Sequence, residues 1–591
     1  MPAKEAALAC PSVRAQAGPG TLAPLDWAVV VTVSLANLVP VWAFRYFPGQ
    51  DTPNHLYGAE VLRVLLDGTA PPSLRDAFTP ALGLKSNVGF HAVLLALSHL
   101  GVPLMVGHKL FLSFLALALP LGVLRLTTVA APGNRPLALL FLPLAWSWFI
   151  VQGLYNYVLS LLPALVWLGA VASNDSRPRL RGLVTVALCA AAVYLCHVGT
   201  LVALLVVTGI RILLPGDGRA ATSRARAVWC GQYLVALSPT LLVAARSALA
   251  ALPAASAREP EVTLAGWEAY DLPGATLDFV VEFAMRYHAW ELLILGPPLI
   301  ALVWLPLRAW SRLRATPARA NPPVAAPAVP LATPESAAPA SPPGWPLRAA
   351  LALGVLYLAL PHIVSGSDVA PRLRPIIVFC LLCLRGAALT RRARRWLAIA
   401  ALGSGLAGVA ALCGSFRGLN RDLDDFTAGI PHVRDGARLY PMIFDPRSPS
   451  RLVKPFLHAW GYYGIERHVV TPFGFAWHDS RFPYRYRRLP LHTATSSFPS
   501  DSEDEPYALL QGRLCASERR LASSLACDDV RGRAERRLTD LGKLYDYVLT
   551  WAAPKDFTTL LAAEGYRPVY NQGRMDLFAS PIARAEGARA R

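Results

Sequence analysis

GQDTPNHLYGAEVLRVLLDG, residues 49–68, follows directly on the first long apolar run of the chain. Between positions 51 and 60 it places Asp51, Asn54, His55 and Glu60. Polar groups beside a membrane are costly unless they are paired, hydrated or used. Asp51 precedes Thr52-Pro53, a helix-start pattern in which Pro sits in the first turn and the preceding side chain can cap it. Leu56, Ala59, Val61, Leu62 and Leu65 then predict an amphipathic helix of about four turns. Glu60 and Arg63 are available to its other face. Such a helix is expected to lie along the outer membrane surface. Asp51 is then either an N-cap, which stabilises by about 1 kcal/mol, or a chemical group. His55, one turn on, can face the same way, and a carboxylate beside an imidazole can act as general base or help hold a metal.

The rest of the chain says that this edge belongs to a polytopic membrane protein. Of 591 residues, 54% are hydrophobic and only 16% charged, and the mean hydropathy is +0.38. Soluble domains carry about 25% charge. The net charge of +19 would suggest nucleic acid in a soluble protein. Here the arginines collect in short loops between apolar runs, so the charge reads as topogenic and no nucleic-acid partner is expected. Seven of the nine cysteines lie in the N-terminal tail or in apolar runs, where small buried thiols need no special role. Cys380 and Cys383 form a CxxC without a second pair or histidines, a poor metal motif. The first 20 residues lack the pattern of a cleaved signal.

Apolar runs of spanning length begin near residues 25, 109, 136, 154, 181, 199, 228, 290, 346, 372 and 395. This gives about eleven spans. Arg125 and Arg135, Arg177 to Arg181, Arg211 to Arg226, Arg308 to Arg319 and Arg385 to Arg395 mark one side as cytoplasmic. Parity then leaves one span between the loop at 46–85 and Arg125. The run 88–106, with His91, His99 and a Gly-Val-Pro break, is assigned as an interfacial or re-entrant helix. The expected order is a cytoplasmic tail (1–24), a membrane block (25–310) with a first external loop at 46–108, a Pro/Ala-rich cytoplasmic linker (311–345), a three-helix block (346–414) and an external domain (415–591). The linker composition cannot bury enough surface to fold. In the tail, ARLYPMIFDP, YDYVLTWAA and YRPVYNQGRMDLFAS read as strands, and FTTLLAAEGY as a helix ending in Gly. A small α/β domain follows, and Cys515 and Cys527 could form a disulfide there.

Three further groups fall at predicted external ends of spans. In QGLYNYVLS, Tyr155, Asn156 and Tyr157 read either as an interfacial aromatic belt or, for Asn156, as a cavity residue. His197 stands at a helix end, where ionisable groups face cavities or partners. Arg372 and Arg374, in LPHIVSGSDVAPRLRPI, sit where the positive-inside pattern disfavours arginine. Their fork geometry suits a phosphate, although a pair with Asp368 or lipid head groups would also satisfy them. Arg286, Tyr287 and His288 are a lesser group of the same kind. The chain has no Walker loop, no strand-linked GxGxxG, no HExxH and no nucleophile elbow.

An N-terminal span followed at once by an external loop with an acidic residue and a helix, then by many spans and a soluble tail, resembles the GT-C superfamily of membrane glycosyltransferases. That superfamily includes the lipid-linked-sugar-dependent mannosyltransferases and the aminoarabinose and oligosaccharyl transferases. The resemblance implies a catalytic carboxylate in the first external loop, carried here by Asp51 with His55 beside it. It also implies a basic residue in a late external loop that holds the lipid phosphate, here Arg372 or Arg374. Asn54, Glu60, Asn156 and His197 are the accompanying substrate-binding candidates. Many members have paired acids in the loop, whereas Asp51 is followed by Thr52-Pro53-Asn54. A divalent cation would lack its second acidic ligand, with Asn54 and His55 as polar substitutes. The expectation is an inner-membrane enzyme that transfers sugar from a polyprenyl-phosphate donor to a periplasmic glycan, lipid or protein acceptor. A lipid-linked-glycan transporter or a non-catalytic envelope-assembly protein would tolerate Asn at position 51; a general base would not.

Overall fold

The computed structural model describes residues 22–173, 179–214, 222–256, 272–315, 344–360, 363–364, 367–385, 389–477, 482–487 and 538–582. Most of the Pro/Ala linker, the N-terminal tail, and Cys515 and Cys527 lie outside the described residues.

Among the described residues, seven helices are long and apolar enough to cross a membrane. The first, α1 (Pro24–Ala36), is extended by a turn at Val39–Trp42. The others are α4 (Leu104–Ala130), the segment Pro132–Gln152, α5 (Tyr155–Ser173), α8 (Ser223–Ser256), α10 (Glu291–Ala315) and α13 (Arg391–Thr427). Residues 132–146 wind as a tight 3-10 helix, because Pro132, Pro136 and Pro143 remove the amides that an α-helix needs. This segment is almost wholly buried, and α4, α10 and α13 all pack on it. The chain is a multi-pass membrane protein.

The other expected spans are shorter. The runs at 181, 199 and 346 form α6 (Leu180–Cys196), α7 (Val198–Leu213) and α11 (Trp345–Ala359). At 1.5 Å per residue they are about 22–26 Å long, less than a hydrocarbon core. The run at 372 yields only α12 (Arg374–Leu382), nine residues and buried throughout. Protein, not lipid, surrounds it. The region 88–106 forms the short α3 (Gly89–His99), and Gly101 at φ +80° and Pro103 separate it from α4. Arg286 is buried at the end of α9 (Leu272–Ala284) and pairs with Glu291 at 3.2 Å. The Glu291 carboxylate also accepts the amides of Arg286 and Tyr287, so it closes the start of α10.

The tail is not a separate body on a tether. Helix α13 runs unbroken past residue 414 to Thr427 and enters it directly. Its main sheet has the order β2 (Leu439–Ile443), β4 (Tyr547–Trp551), β6 (Met575–Ala579), β5 (Arg567–Gln572). The β2–β4 pair is parallel, and β6 is antiparallel to both its neighbours. Helix α15 (Lys555–Ala563) ends before Gly565 at φ +82° and leads into β5, as the sequence pattern requires. A second ribbon joins β1 (Phe78–Pro80) of the first loop to β3 (Tyr484–Tyr486) of the tail, with Phe78 opposite Tyr486.

Helix α2 (Thr52–Leu66) departs most from expectation. Residues Thr52 to Leu62 are all buried. Leu56 and Ala59 belong to the large core shared by the membrane helices. Tyr57, Val61, Leu62 and Val64 belong to a second core, with Tyr440, Trp460, Phe473, Val548 and Phe578 of the tail. The helix is therefore not a surface helix with a wet face: the tail covers that face. Helix α14 (Gly461–Arg467) packs on it so closely that a Cβ at Gly461 would collide with the Pro53 carbonyl, and one at Gly464 with the Tyr57 ring. Only glycine fits there. Gly461→Ala is expected to destabilise the protein by about 1–3 kcal/mol, read as a lowered melting temperature of the purified full chain; an unchanged melt would contradict the close packing.

Candidate active site

Asp51 occupies the N-cap position of α2, but its carboxylate makes no capping hydrogen bond to the first turn. The backbone holds it instead. Gln50 N–H donates to the Val151 carbonyl and Asp51 N–H to the Gln152 carbonyl, both at 3.0 Å. Gly153, at φ +94°, lies directly against Asp51: a Cβ there would stand 2.8 Å from Asp51 Cβ. The Asp51 side chain is 13% exposed. Its Oδ1 lies 3.5 Å from Gln50 Nε2 and 3.7 Å from His458 Nε2. The carboxylate is thus at the edge of a nearly closed site, made where the first loop, the start of α5 and the tail meet.

The first turn of α5 ties three parts of this region together. Tyr155 OH bonds to Thr52 Oγ1, next to Asp51, and to His108 Nε2 at 3.1 Å. Asn156 accepts from Phe90 N–H at 2.8 Å and donates to the Asn87 carbonyl at 3.0 Å, which fixes the start of α3. Tyr157 OH donates to the Arg372 carbonyl at 2.7 Å. All three side chains are buried. They do not form an interfacial belt, because each aromatic hydroxyl and the amide has a partner inside the protein.

Arg372 and Arg374 stand two positions apart in the sequence but face different environments. Arg372 Nη1 lies 3.0 Å from His197 Nε2, and its guanidinium sits 6.0 Å from the Tyr157 ring centre. His197 in turn caps α7, accepting from Thr200 N–H at 3.2 Å. Arg374 is fully buried, paired with Glu282 and hydrogen-bonded to Tyr357 OH at 3.1 Å. Its charge is matched within the protein.

The remaining candidates separate. His55 is buried among Phe90, His91, Tyr155 and Phe475, with ring centres 4.9–5.7 Å from its own. Burial, then the nearby His91, His458 and His108 rings, hold it well below the ordinary imidazole value. It is neutral at neutral pH. Asn54 points to the tail: it donates to the Phe473 carbonyl and accepts from Phe475 N–H, each at 3.3 Å. Glu60 receives two bonds from Arg63, at 2.6 and 2.9 Å, and lies 3.2 Å from His468 Nε2. His468 also reaches Asp435 at 2.8 Å. This chain of charges fastens the tail to α2 and does not reach Asp51.

His458 has no signal in the sequence. It stands far along the chain from Asp51, in a stretch with no motif, yet the fold brings the two together. Burial, then Lys454, lowers its ring to about 3, so it is a neutral neighbour of the carboxylate. Tyr155 and Gln50 complete the surroundings. Among the described residues, no group of three or more His, Cys, Asp or Glu is placed to hold a metal.

No family model matches this sequence, and no curated protein matches it. Solved structures do. ArnT from Cupriavidus metallidurans, in a crystal structure bound to undecaprenyl phosphate, is similar over 94% of this chain and 98% of its own, with 13% identity and a TM-score of 0.50. Its apo crystal structure matches over 94% and 97%, with 12% identity and a TM-score of 0.47. The mycobacterial arabinofuranosyltransferase AftD, solved by cryo-EM, matches over 95% of this chain at 14% identity and a TM-score of 0.47. This chain spans only 40% of AftD's length. The chain shares its overall fold with ArnT.

The contact between α2 and the tail has a pH signature. Burial pushes Glu60 up, but bonds from His468 and Arg63 outweigh it and hold the carboxyl below its ordinary 4.5. The bond to Glu60 raises His468 above its ordinary 6.5, against the effect of burial. The Glu60 contribution is complete above 4.5 and lost as pH falls through its lowered value. The His468 contribution is complete below 6.5 and lost as pH rises through its raised value. The difference in melting temperature between wild type and His468→Gln is therefore expected to be largest between these limits, roughly 1–2 °C, and to vanish at strongly alkaline pH.

Proposed function

We propose that the chain is a glycosyltransferase of the bacterial inner membrane that moves a sugar from a polyprenyl-phosphate donor to a periplasmic acceptor. The observation that carries this reading is Asp51. Its carboxylate heads a buried helix in a GT-C fold, does not cap that helix, and retains access to solvent. ArnT, similar in fold, binds a polyprenyl phosphate. In this reading the N-terminus is cytoplasmic, and Asp51, Arg372 and the tail face the periplasm.

Asp51 takes the proton of the acceptor hydroxyl. The acceptor oxygen attacks the anomeric carbon, and the carbon–oxygen bond to the phosphate breaks. The electron pair leaves with the polyprenyl phosphate, and the anomeric centre is inverted. Neutral His55 and His458 leave the carboxylate without an opposing imidazolium charge, so its basicity is kept. Arg372 stabilises the phosphate as negative charge develops on it, with His197 and Tyr157 orienting the guanidinium. Arg374 serves differently: with Glu282 it anchors the loop that carries Arg372. Asn54, Glu60 and Asn156 act as positioning residues through the contacts described above. The tail roofs the site and contributes to the acceptor side. A divalent cation has no assigned step.

Membranes containing wild type or Asp51→Asn at equal levels are to be given radiolabelled polyprenyl-phosphate hexoses and pentoses. Loss of label from the lipid is expected in wild type and is expected to fall by about 10²–10⁴ in the variant, the range for a lost general base. Equal turnover would remove Asp51 from the mechanism. No turnover with any donor would favour a transporter or scaffold. Arg372→Gln is expected to raise the donor KM with folding intact. Arg374→Gln should instead reduce the yield of folded protein, because stripping one partner from a buried ion pair costs about 3–5 kcal/mol.

A further inference from the structure

A cavity lies at the end of α5 opposite to Asp51. Asp51 is set against the residues that lead into this helix, whereas the cavity is bounded by its last turns, the last turns of α4 and the first turns of α6. The 19 residues of α5 separate the two places by about 28 Å. The cavity has a volume of about 410 Å³. Its floor is made by small residues, Gly122 and Gly169 among them, and its walls by Leu126 and Leu165. A Cβ at Gly169 would meet nothing within 4 Å, so the space there is open.

Three arginines ring the mouth: Arg125 from α4, with Arg179 and Arg181 from the start of α6. All three are exposed, and among the described residues no carboxylate lines the cavity. Arg179 and Arg181 stand at a helix N-terminus, where the dipole disfavours cations. Topogenic arginines need only stay on one side of the membrane. They do not need to surround a hollow. The apolar lining includes Val166 at 53% exposure, and Leu121, next to the lining residue Gly122, is 45% exposed.

We propose that this cavity binds the head group of an anionic phospholipid from the surrounding leaflet. The phosphate meets the guanidinium forks, whose geometry suits it. The acyl chains run down the apolar faces of α4 and α5, which only a lipid would use. The cavity admits a phosphate with its glycerol but not the chains, so one lipid binds with its chains outside. Basic pockets at the ends of membrane helices recognise lipids by this chemistry. The bound lipid neutralises the three arginines and ties α4, α5 and α6 together, at the membrane face away from Asp51.

The test uses the full chain in nanodiscs of phosphatidylcholine with phosphatidylglycerol, transferred to mild detergent and weighed by native mass spectrometry. Wild type is expected to retain one phosphatidylglycerol and no phosphatidylcholine. Arg125→Gln/Arg179→Gln/Arg181→Gln is expected to lower retention by about tenfold or more. Gly169→Leu, which fills the open floor and keeps every charge, is expected to do the same while its melting temperature stays near that of wild type. This second variant carries the test if the triple variant fails to fold. Undiminished retention by Gly169→Leu would overturn the proposal, since the charges would then hold lipid without the cavity. Equal retention of phosphatidylcholine would overturn it too. Displacement of the lipid by millimolar inorganic phosphate would assign the arginines to a soluble anion and reject the lipid.

Discussion

The structure depends on the double burial of one helix. Thr52–Leu66 is covered on one side by the membrane helices and on the other by the tail. Each cover buries different side chains, Leu56 and Ala59 below, Tyr57, Val61 and Leu62 above. A helix with apolar contact on two faces has one stable position, because apolar burial near 25 cal/mol per Å² acts on both at once. The residue at its head inherits that fixity. Asp51 is held by its backbone to Val151 and Gln152 and by the close approach of Gly153. The carboxylate is therefore positioned without being consumed by the local helix start.

Much of this order was legible in the sequence, and the limits are physical. Alternation and turn residues identified the strands around Tyr440, Val548 and Leu577, and Gly565 marked the end of α15. The Gly101-Val102-Pro103 break, placed inside the run 88–106 by the sequence reading, falls between α3 and α4, and α4 begins at Leu104 and not near 109. The segment at 372 was read as a span because hydropathy reports apolar side chains, not what surrounds them. Its nine-residue helix is buried in protein. The same blindness made α2 a surface helix. Nothing in residues 49–68 says that Tyr440 and Phe578 will cover Tyr57 and Val61.

The candidate site was legible only in its local half. Asp51, His55 and Asn54 share one turn of sequence and could be named from it. His458 could not, because pairing between distant positions leaves no mark in a single sequence. The two arginines show the same limit. Arg372 and Arg374 look alike on the page, two residues apart in a loop. Glu282 takes Arg374 out of that equivalence, and it comes from a helix more than 90 positions earlier.

The position of β6 has a consequence for the cover of the first loop. Met575–Ala579 is an inner strand, with β4 on one side and β5 on the other. Helix α14 and the loop that bears His458 are packed under that sheet and over Asp51. The sheet is therefore complete only once residues near 579 are present, with β5 and β6 joined as a hairpin whose inner strand lies against β4. The last strand thus lends its side chains, Phe578 among them, to the core that also takes Tyr57, Val61 and Leu62 of α2. A chain cut short of residue 575 would keep every described membrane-length helix yet lack an inner strand of the sheet that helps to cover α2, so the cover of the first loop depends on the far end of the described chain.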